Sequence, residues 1–430
     1  MEIPQSIIAQ MNQWRRDFHA HPEVGWTEFR TASKIAAYLE EQDIDILLGK
    51  EVISENRMGL PSQEQLQKSY ERAIKEGADT KYASHFEGGY TGVVATIPGD
   101  LPGPTVAFRF DIDALPIFES IEKTHLPVAQ GFSSIHDGEM HACGHDGHAA
   151  IGLALATILS QNRSSIEGVV KIIFQPAEES VRGAKSMVEA GVVEDVDYFL
   201  AMHIGTGVPK NTVVCGADGF LATTKIDVEF SGIAAHAGAY PEEGRNALVA
   251  AAQAVIAMQG ISRSSLGDSR INIGTLHAGS GRNVIADHAK LQLETRGINT
   301  AVNTYMYEEV IRILEGIAQM YGVTATHSIV GEANSASSSE RLVTLLTEAA
   351  NKSGIETVIP RENFAAGSED ATYFMEAVQE QGGYASYSVF GTELAAGHHH
   401  EAFDFKENVM EQALHVLTSA LLTIYQKERE

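Results

Sequence analysis

Cysteine is nearly missing from this chain, with two residues in 430. A disulfide framework is thereby excluded. Long apolar runs are missing too. No stretch of 18 apolar residues occurs, so no segment reads as a membrane span. Positive charge is scarce: 31 Lys and Arg stand against 57 Asp and Glu, a formal charge of −26. That balance argues against nucleic acid and anionic membrane surfaces as partners. The opening Met1-Glu2-Ile3-Pro4-Gln5 has neither the basic start nor the apolar core of a signal peptide. The expected location is a reducing cytoplasm, because one of the two cysteines lies in the richest motif. There is no internal repeat and no low-complexity tail. Hydrophobic content of 44% and charged content of 20% describe a globular chain long enough for two domains and a sizeable core.

The richest motif is His141-Ala142-Cys143-Gly144-His145-Asp146-Gly147-His148, three histidines, a cysteine and an aspartate within eight residues. Thiolate and imidazole are preferred ligands of zinc-like divalent ions, so the segment predicts a metal site. Further donors follow in order. Phe174-Gln175-Pro176-Ala177-Glu178-Glu179 ends an apolar run in two carboxylates, Ala201-Met202-His203 ends another in a histidine, and Gly397-His398-His399-His400-Glu401 stands near the C-terminus. Asp111-Ile112-Asp113 follows the apolar run Thr105 to Phe110. A single such residue is ordinarily a capped or solvated one. Five clusters, each after an apolar stretch, predict donors delivered by buried strands into one cleft. Glu178 and Glu179 are adjacent, so on extended backbone they are expected to point different ways, one to metal and one to water.

Residues 1 to about 41 read helical, with apolar positions at helical spacing. The polar stretch 63–76 reads as a helical surface insertion. Strands are expected at 92–97, 105–110, 169–174 and 198–202, and 147–160 reads as a buried Ala/Leu-rich helix. This alternation predicts an α/β fold, a mixed-sheet catalytic domain with helices on both faces. After Gly216 the pattern changes. Strands at 223–230, 271–276, 289–296 and 323–330, with helices at 245–259 and 301–321, predict a small α+β domain with one solvated sheet face. Ser335 to Ser339 reads as the linker out. The expected organisation is a catalytic domain of residues 1–221 and 334–430, interrupted by an inserted domain of residues 222–333.

The chain resembles the family of binuclear-metal amidohydrolases that includes bacterial aminoacylases, hippurate hydrolases and plant auxin-conjugate hydrolases. The resemblance is carried by Arg109-Phe110-Asp111-Ile112-Asp113-Ala114-Leu115-Pro116, Met140 to His148, Phe174 to Glu179, Gly367-Ser368-Glu369-Asp370 and the late histidine cluster. It runs from about Trp14 to about Phe405. It implies hydrolysis of an amide next to a free carboxylate, with two divalent ions per chain, zinc or manganese, as cofactors. The implied ligands are Cys143, His145, Glu179, His203 and His399, the last chosen over His398 and His400 because it stands four residues before Phe403. The implied general base is Glu178. Asp113 is implied to orient a metal histidine, with Asp111 only supporting and with His141 and His148 in packing. The family usually carries glycine after the glutamate pair, where this chain has Ser180.

In the inserted domain, which the resemblance implies to be a lid or dimerisation domain, His236 is implied to reach the site of a partner chain and stabilise an oxyanion. Asn283 and Arg296 are implied to bind the substrate carboxylate, and Gly367 to shape the pocket wall. The implied partners are a small N-acyl amino acid and a second chain, in a homodimer or a heterodimer with a related chain. Two other readings stand beside this one: a general N-acyl-amino-acid amidohydrolase, and a non-catalytic member of a hetero-oligomer. The complete ligand set favours an active chain.

Overall fold

In the computed structural model residues 1–364 and 367–430 are described. The chain divides into two compact units. The larger comprises residues 1–218, 336–364 and 370–430, and the smaller residues 219–335 with 367–369.

In chain order the strands are β1 (Asp45–Leu48), β2 (Val93–Pro98), β3 (Leu101–Asp111), β4 (Glu167–Gln175), β5 (Tyr198–Ile204), β6 (Thr212–Asp218), β7 (Ala222–Ser231), β8 (Ser269–Ala278), β9 (His288–Gly297), β10 (Thr324–Ala333), β11 (Thr357–Asn363) and β12 (Tyr384–Phe390). In the larger unit, eight of them form one sheet in the order β1-β2-β4-β3-β5-β12-β6-β11 among the described residues. The centre is parallel, β4-β3-β5-β12, and antiparallel pairings flank it. Successive strand residues point to opposite faces, and both faces are covered. Along β5, Tyr198, Leu200 and Met202 enter the main core. The intervening Phe199 instead stacks on Phe374 of the helix Thr372–Glu380, with ring centroids 5.3 Å apart. The expected mixed sheet with helices on both faces therefore forms.

The helix His145–Ser160 is buried along almost its whole length, as a helix apolar on all sides must be. Its glycines allow the approach. A Cβ at Gly152 would stand 2.7 Å from Phe174 and 2.8 Å from Phe110. The N-terminal stretch expected to be helical to residue 41 is two helices, Gln5–Ala20 and Phe29–Glu41. Pro22 lacks the N–H a continuing helix needs, and Glu23 turns back to accept the Arg30 and Thr31 amides at 2.9 and 2.8 Å. The insertion at 63–76 forms the helix Gln63–Lys75. Among the described residues no helix is long and apolar enough to cross a membrane.

The smaller unit is an antiparallel sheet in the order β10-β7-β9-β8. Its helices Ala247–Met258 and Thr300–Tyr321 pack with Ile226, Val228, Phe230, Leu291 and Leu293. The alternate residues Lys225, Asp227 and Glu229 lie on the other face and are partly or fully exposed.

Candidate metal centre

Strand ends of the larger unit deliver the donors. β3 ends at Asp111, β4 leads into Glu178 and Glu179, β5 carries His203, and the segment after β12 holds the late histidines. These are the carboxyl ends of adjacent parallel strands, the usual place for a site in an α/β sheet. Cys143 and His145 arrive at the start of the helix His145–Ser160, where Gly144 turns the chain at φ 102°.

The ligand atoms of Cys143, His145 and His203 all lie within 4.8 Å of one another, as do those of Cys143, Glu179 and His399, and those of His145, Glu178 and Glu179. Cys143 Sγ is 3.4 Å from His203 Nε2, and His399 Nε2 is 3.3 Å from Glu179 Oε1. The rings are oriented by their outer nitrogens. His145 Nδ1 donates to the Asp113 carbonyl at 2.9 Å, and His203 Nδ1 donates to the Ile204 carbonyl at 2.8 Å. Each ring thus turns Nε2 inward as a lone pair, the arrangement that metal-binding histidines need. His145 Nε2 is buried without a hydrogen-bond partner, which is costly unless a cation answers it.

Although burial opposes it, Asp111 and hydrogen bonds with Asp113 and Cys143 raise His145 well above its usual range. Hydrogen bonds that His399 donates to the Cys143 sulfur and the Glu179 carboxylate push it up to about 10. Burial and Glu179 push the Cys143 thiol up. Burial and the neighbouring His148 and His398 hold His203 well below its usual range. A thiol, a carboxylate and several rings crowd one spot that calls for positive charge, so the donor set fits divalent ions.

The late histidines separate by their contacts. His398 Nε2 accepts the Thr206 amide at 2.9 Å, leaving Nδ1 to face Cys143 Sγ at 3.6 Å. His400 Nδ1 accepts the Ala402 amide. His399, its amide bonded to the Ala142 carbonyl at 2.8 Å, is the one grouped with Cys143 and Glu179. His148 uses both nitrogens, one with Asp111 at 2.5 Å and one with the Ile204 amide at 3.0 Å. His141 is buried, with neither ring nitrogen bonded.

The glutamate pair does not lie on extended backbone. Ala177, Ser180 and Val181 have φ of 50°, 69° and 59°, so left-handed residues flank the pair, which sits in a turn. Three successive amides explain it: Ala177 N–H donates to Glu28 at 2.8 Å, and Glu178 and Glu179 N–H both donate to the Asp113 carboxylate at 3.0 Å. Asp370 takes the Gly183 and Ala184 amides at 3.0 Å each. Asp113 therefore acts twice, its carbonyl aligning His145 and its carboxylate shaping the turn. Glu28 and Asp370 carry roles that sequence reasoning missed, as does Arg15, which reaches Asp146 at 3.0 Å. Although burial opposes it, Arg15 and His19 hold the Asp146 carboxyl well below its usual range. Nothing local signalled Glu28.

The remaining candidates lie in the smaller unit. His236 is exposed, and its strand-like bridge to Val284 sets it beside Asn283, whose carbonyl accepts the Ala237 amide at 3.0 Å. Arg296 on β9 lines a cavity of about 360 Å³ with Arg270, Asn272 and Glu294, and its guanidinium meets Glu294 at 3.0 and 3.2 Å. The Gly367 carbonyl accepts the Leu221 amide at 2.8 Å.

Residues 107–423 match the model of peptidase family M20/M25/M40. The indole-3-acetyl-aspartic acid hydrolase of Enterobacter agglomerans is 51% identical over 98% of this chain and 97% of its own length. One of the subunits of the Escherichia coli K12 p-aminobenzoyl-glutamate hydrolase is 51% identical with the same coverage. Among solved structures, the aminobenzoyl-glutamate utilization protein of Klebsiella pneumoniae superposes with a TM-score of 0.86 at 45% identity, covering 98% of each chain. A Bacillus subtilis dinuclear metal-binding peptidase of the M20 family gives 0.68 at 28% identity, covering 99% of each chain.

Proposed function

The chain belongs to peptidase family M20/M25/M40 and is a metal-dependent amidohydrolase; from that premise we propose that it cleaves N-acylated acidic amino acids, p-aminobenzoyl-glutamate foremost. The two relatives at 51% identity are named for amides of aspartate and of glutamate, which supports the acidic amino acid. The observation that carries the reading is the inward, unpartnered Nε2 of buried His145 beside Cys143, Glu178 and Glu179.

In this reading Cys143, His145, Glu179, His203 and His399 hold two divalent ions, zinc or manganese. Bound there, the ions supply a polarised carbonyl and a water of lowered pKa. Glu178 takes the proton of the attacking water and passes it to the amide nitrogen as the C–N bond breaks. The hydroxyl stays on the acyl carbon, giving p-aminobenzoate and glutamate. Asp113 keeps His145 and the Glu178–Glu179 turn in register. Asn283 and Arg296 take the substrate carboxylate, Gly367 shapes the pocket wall, and His236 stabilises the oxyanion in a partner's site. Residues 222–333 serve as the lid or dimerisation domain of a homodimer, or of a heterodimer with a related chain; the Escherichia coli relative, being one of several subunits by name, supports the latter. A reducing cytoplasm suits a thiolate ligand.

The test uses the purified chain. Chelation should abolish hydrolysis of p-aminobenzoyl-glutamate, and zinc or manganese should restore it. Elemental analysis should find about two ions per chain. Full activity in metal-free protein would sink the mechanism.

A further inference from the structure

Two arginines near the metal cluster of the larger unit are held by carboxylates: Arg15 by Asp146 and Asp404, and Arg109 by Asp111 and Asp370. Two others are not. Arg182, three residues after Glu179, donates Nε to the Glu179 carbonyl at 2.9 Å and Nη1 to the Gly59 carbonyl at 3.0 Å. Arg57 donates Nη1 to the Gly88 carbonyl at 2.6 Å and lies 3.5 Å from the centroid of Tyr90. Its buried Nε has no hydrogen-bond partner. Neither arginine has a carboxylate partner among the described residues.

The two guanidiniums lie against adjacent residues, Arg57 by the Trp26 ring and Arg182 by Gly25. Trp26 Nε1 donates to the Met58 carbonyl at 2.8 Å, and Arg57 stands 5.9 Å from the Trp26 ring. Arg182 Nη2 presses against Gly25, where a Cβ would stand 2.1 Å from it. Only glycine leaves room for the guanidinium at that spot. Both side chains are half-buried. Carboxylates are abundant in a chain of charge −26, yet these two charges meet only carbonyls and rings. Withdrawing a charge from water without a counterion is unfavourable. An anion arriving from outside resolves it.

We propose that Arg57 and Arg182 form an anion subsite beside the Glu178–Glu179 turn that takes the side-chain carboxylate of an acidic amino acid in the substrate. The proposal rests on the amidohydrolase reading above and names the residues that select the acidic side chain. The Nη2 groups of Arg182 and Arg57, which donate no hydrogen bond among the described residues, offer the charge-assisted donors that a carboxylate needs.

The competing explanation is structural: Arg182 only ties the 57–60 segment to the turn. The ratio of kcat/KM for N-(4-aminobenzoyl)-L-glutamate to that for its L-glutamine counterpart, measured on metal-loaded protein, separates the two. The native chain should prefer the glutamate amide by roughly 10–100-fold, the range of a charge-assisted pair. Arg182→Met and Arg57→Met should collapse that ratio toward one, chiefly through KM for the glutamate amide. Arg182→Lys should keep part of it. If Arg182→Met fails to fold or to hold metal, Arg182→Lys and Arg57→Met decide by the same ratio. Loss that falls equally on both amides overturns the subsite. Equal kcat/KM for both amides in the native chain overturns the subsite alone, whereas no hydrolysis of either by metal-loaded protein overturns the amidohydrolase reading and the subsite with it.

Discussion

Ser180 occupies a left-handed position, φ 69°, where glycine is the unstrained choice. Ser180→Gly should raise stability by about 1 kcal/mol, read as an increase in Tm with metal content unchanged; a lower Tm would mean that the serine is favoured there. Two positions earlier, Glu178→Gln keeps the shape of the side chain but removes the base. The expected fall in kcat is roughly 10²–10⁴-fold with both ions retained, and a near-normal kcat removes Glu178 from its role. Cys143→Ser should instead lose metal, since a hydroxyl is a far poorer anionic ligand than a thiolate. Glu28 gives a pH prediction. Burial and the nearby Asp113 carboxylate push it up from 4.5 to about 8 in the fold, so its neutral form is the one the fold favours. That contribution is complete below about pH 4.5 and fades as pH rises to about 8. Glu28→Gln keeps the acceptor for the Ala177 amide, so the decline in Tm of metal-free protein from pH 5 to 8 should become shallower; parallel profiles would refute this. The grouping of Cys143, His145 and His203 was legible because thiol and imidazole stand at the ends of apolar runs and in one dense motif. Glu28 was not, because its partners are a backbone amide and Thr91, to which no side-chain pattern points.

At the scale of elements, the helix His145–Ser160 carries the candidate ligand His145 at its start, and its small residues set how closely it packs. Gly152→Ala drives a methyl into Phe110 and Phe174 and should cost about 1–3 kcal/mol, seen as a lower Tm; an unchanged Tm would show that the rings give way. Legibility followed the same packing. The buried runs of β3, β4 and β5 were evident as continuous apolar segments, and the smaller unit as alternation. The break at Pro22 carried a local sign, but the turn that follows depends on Glu23 folding back onto the next helix, a contact made in space. The turn at 177–181 was hidden for the same reason: the carboxylates that shape it come from residues 28 and 113.

At the scale of the whole molecule, a charge of −26 repels the dicarboxylates this site is proposed to take, so attraction must be local, from the ions and a few arginines. Capture of the substrate should therefore quicken as salt screens the overall repulsion, seen as kcat/KM rising with moderate ionic strength; a steady fall would show that the local cations dominate even at long range. The proposed role of His236 makes a claim about assembly. Mixing inactive His236→Ala with inactive Glu178→Gln should return up to about a quarter of normal activity, because each hybrid of a two-fold dimer holds one intact site. No recovery despite demonstrated exchange of chains would confine His236 to its own chain. The carboxylates that hold the loop from Ala177 to Ala184 come from Glu28, Asp113 and Asp370, and His399 follows later still. On the ribosome, then, the proposed catalytic turn is translated long before Asp370 and the proposed metal donor His399 emerge. A growing chain holds Cys143 and His145 before the other proposed donors, Glu179, His203 and His399, have been added.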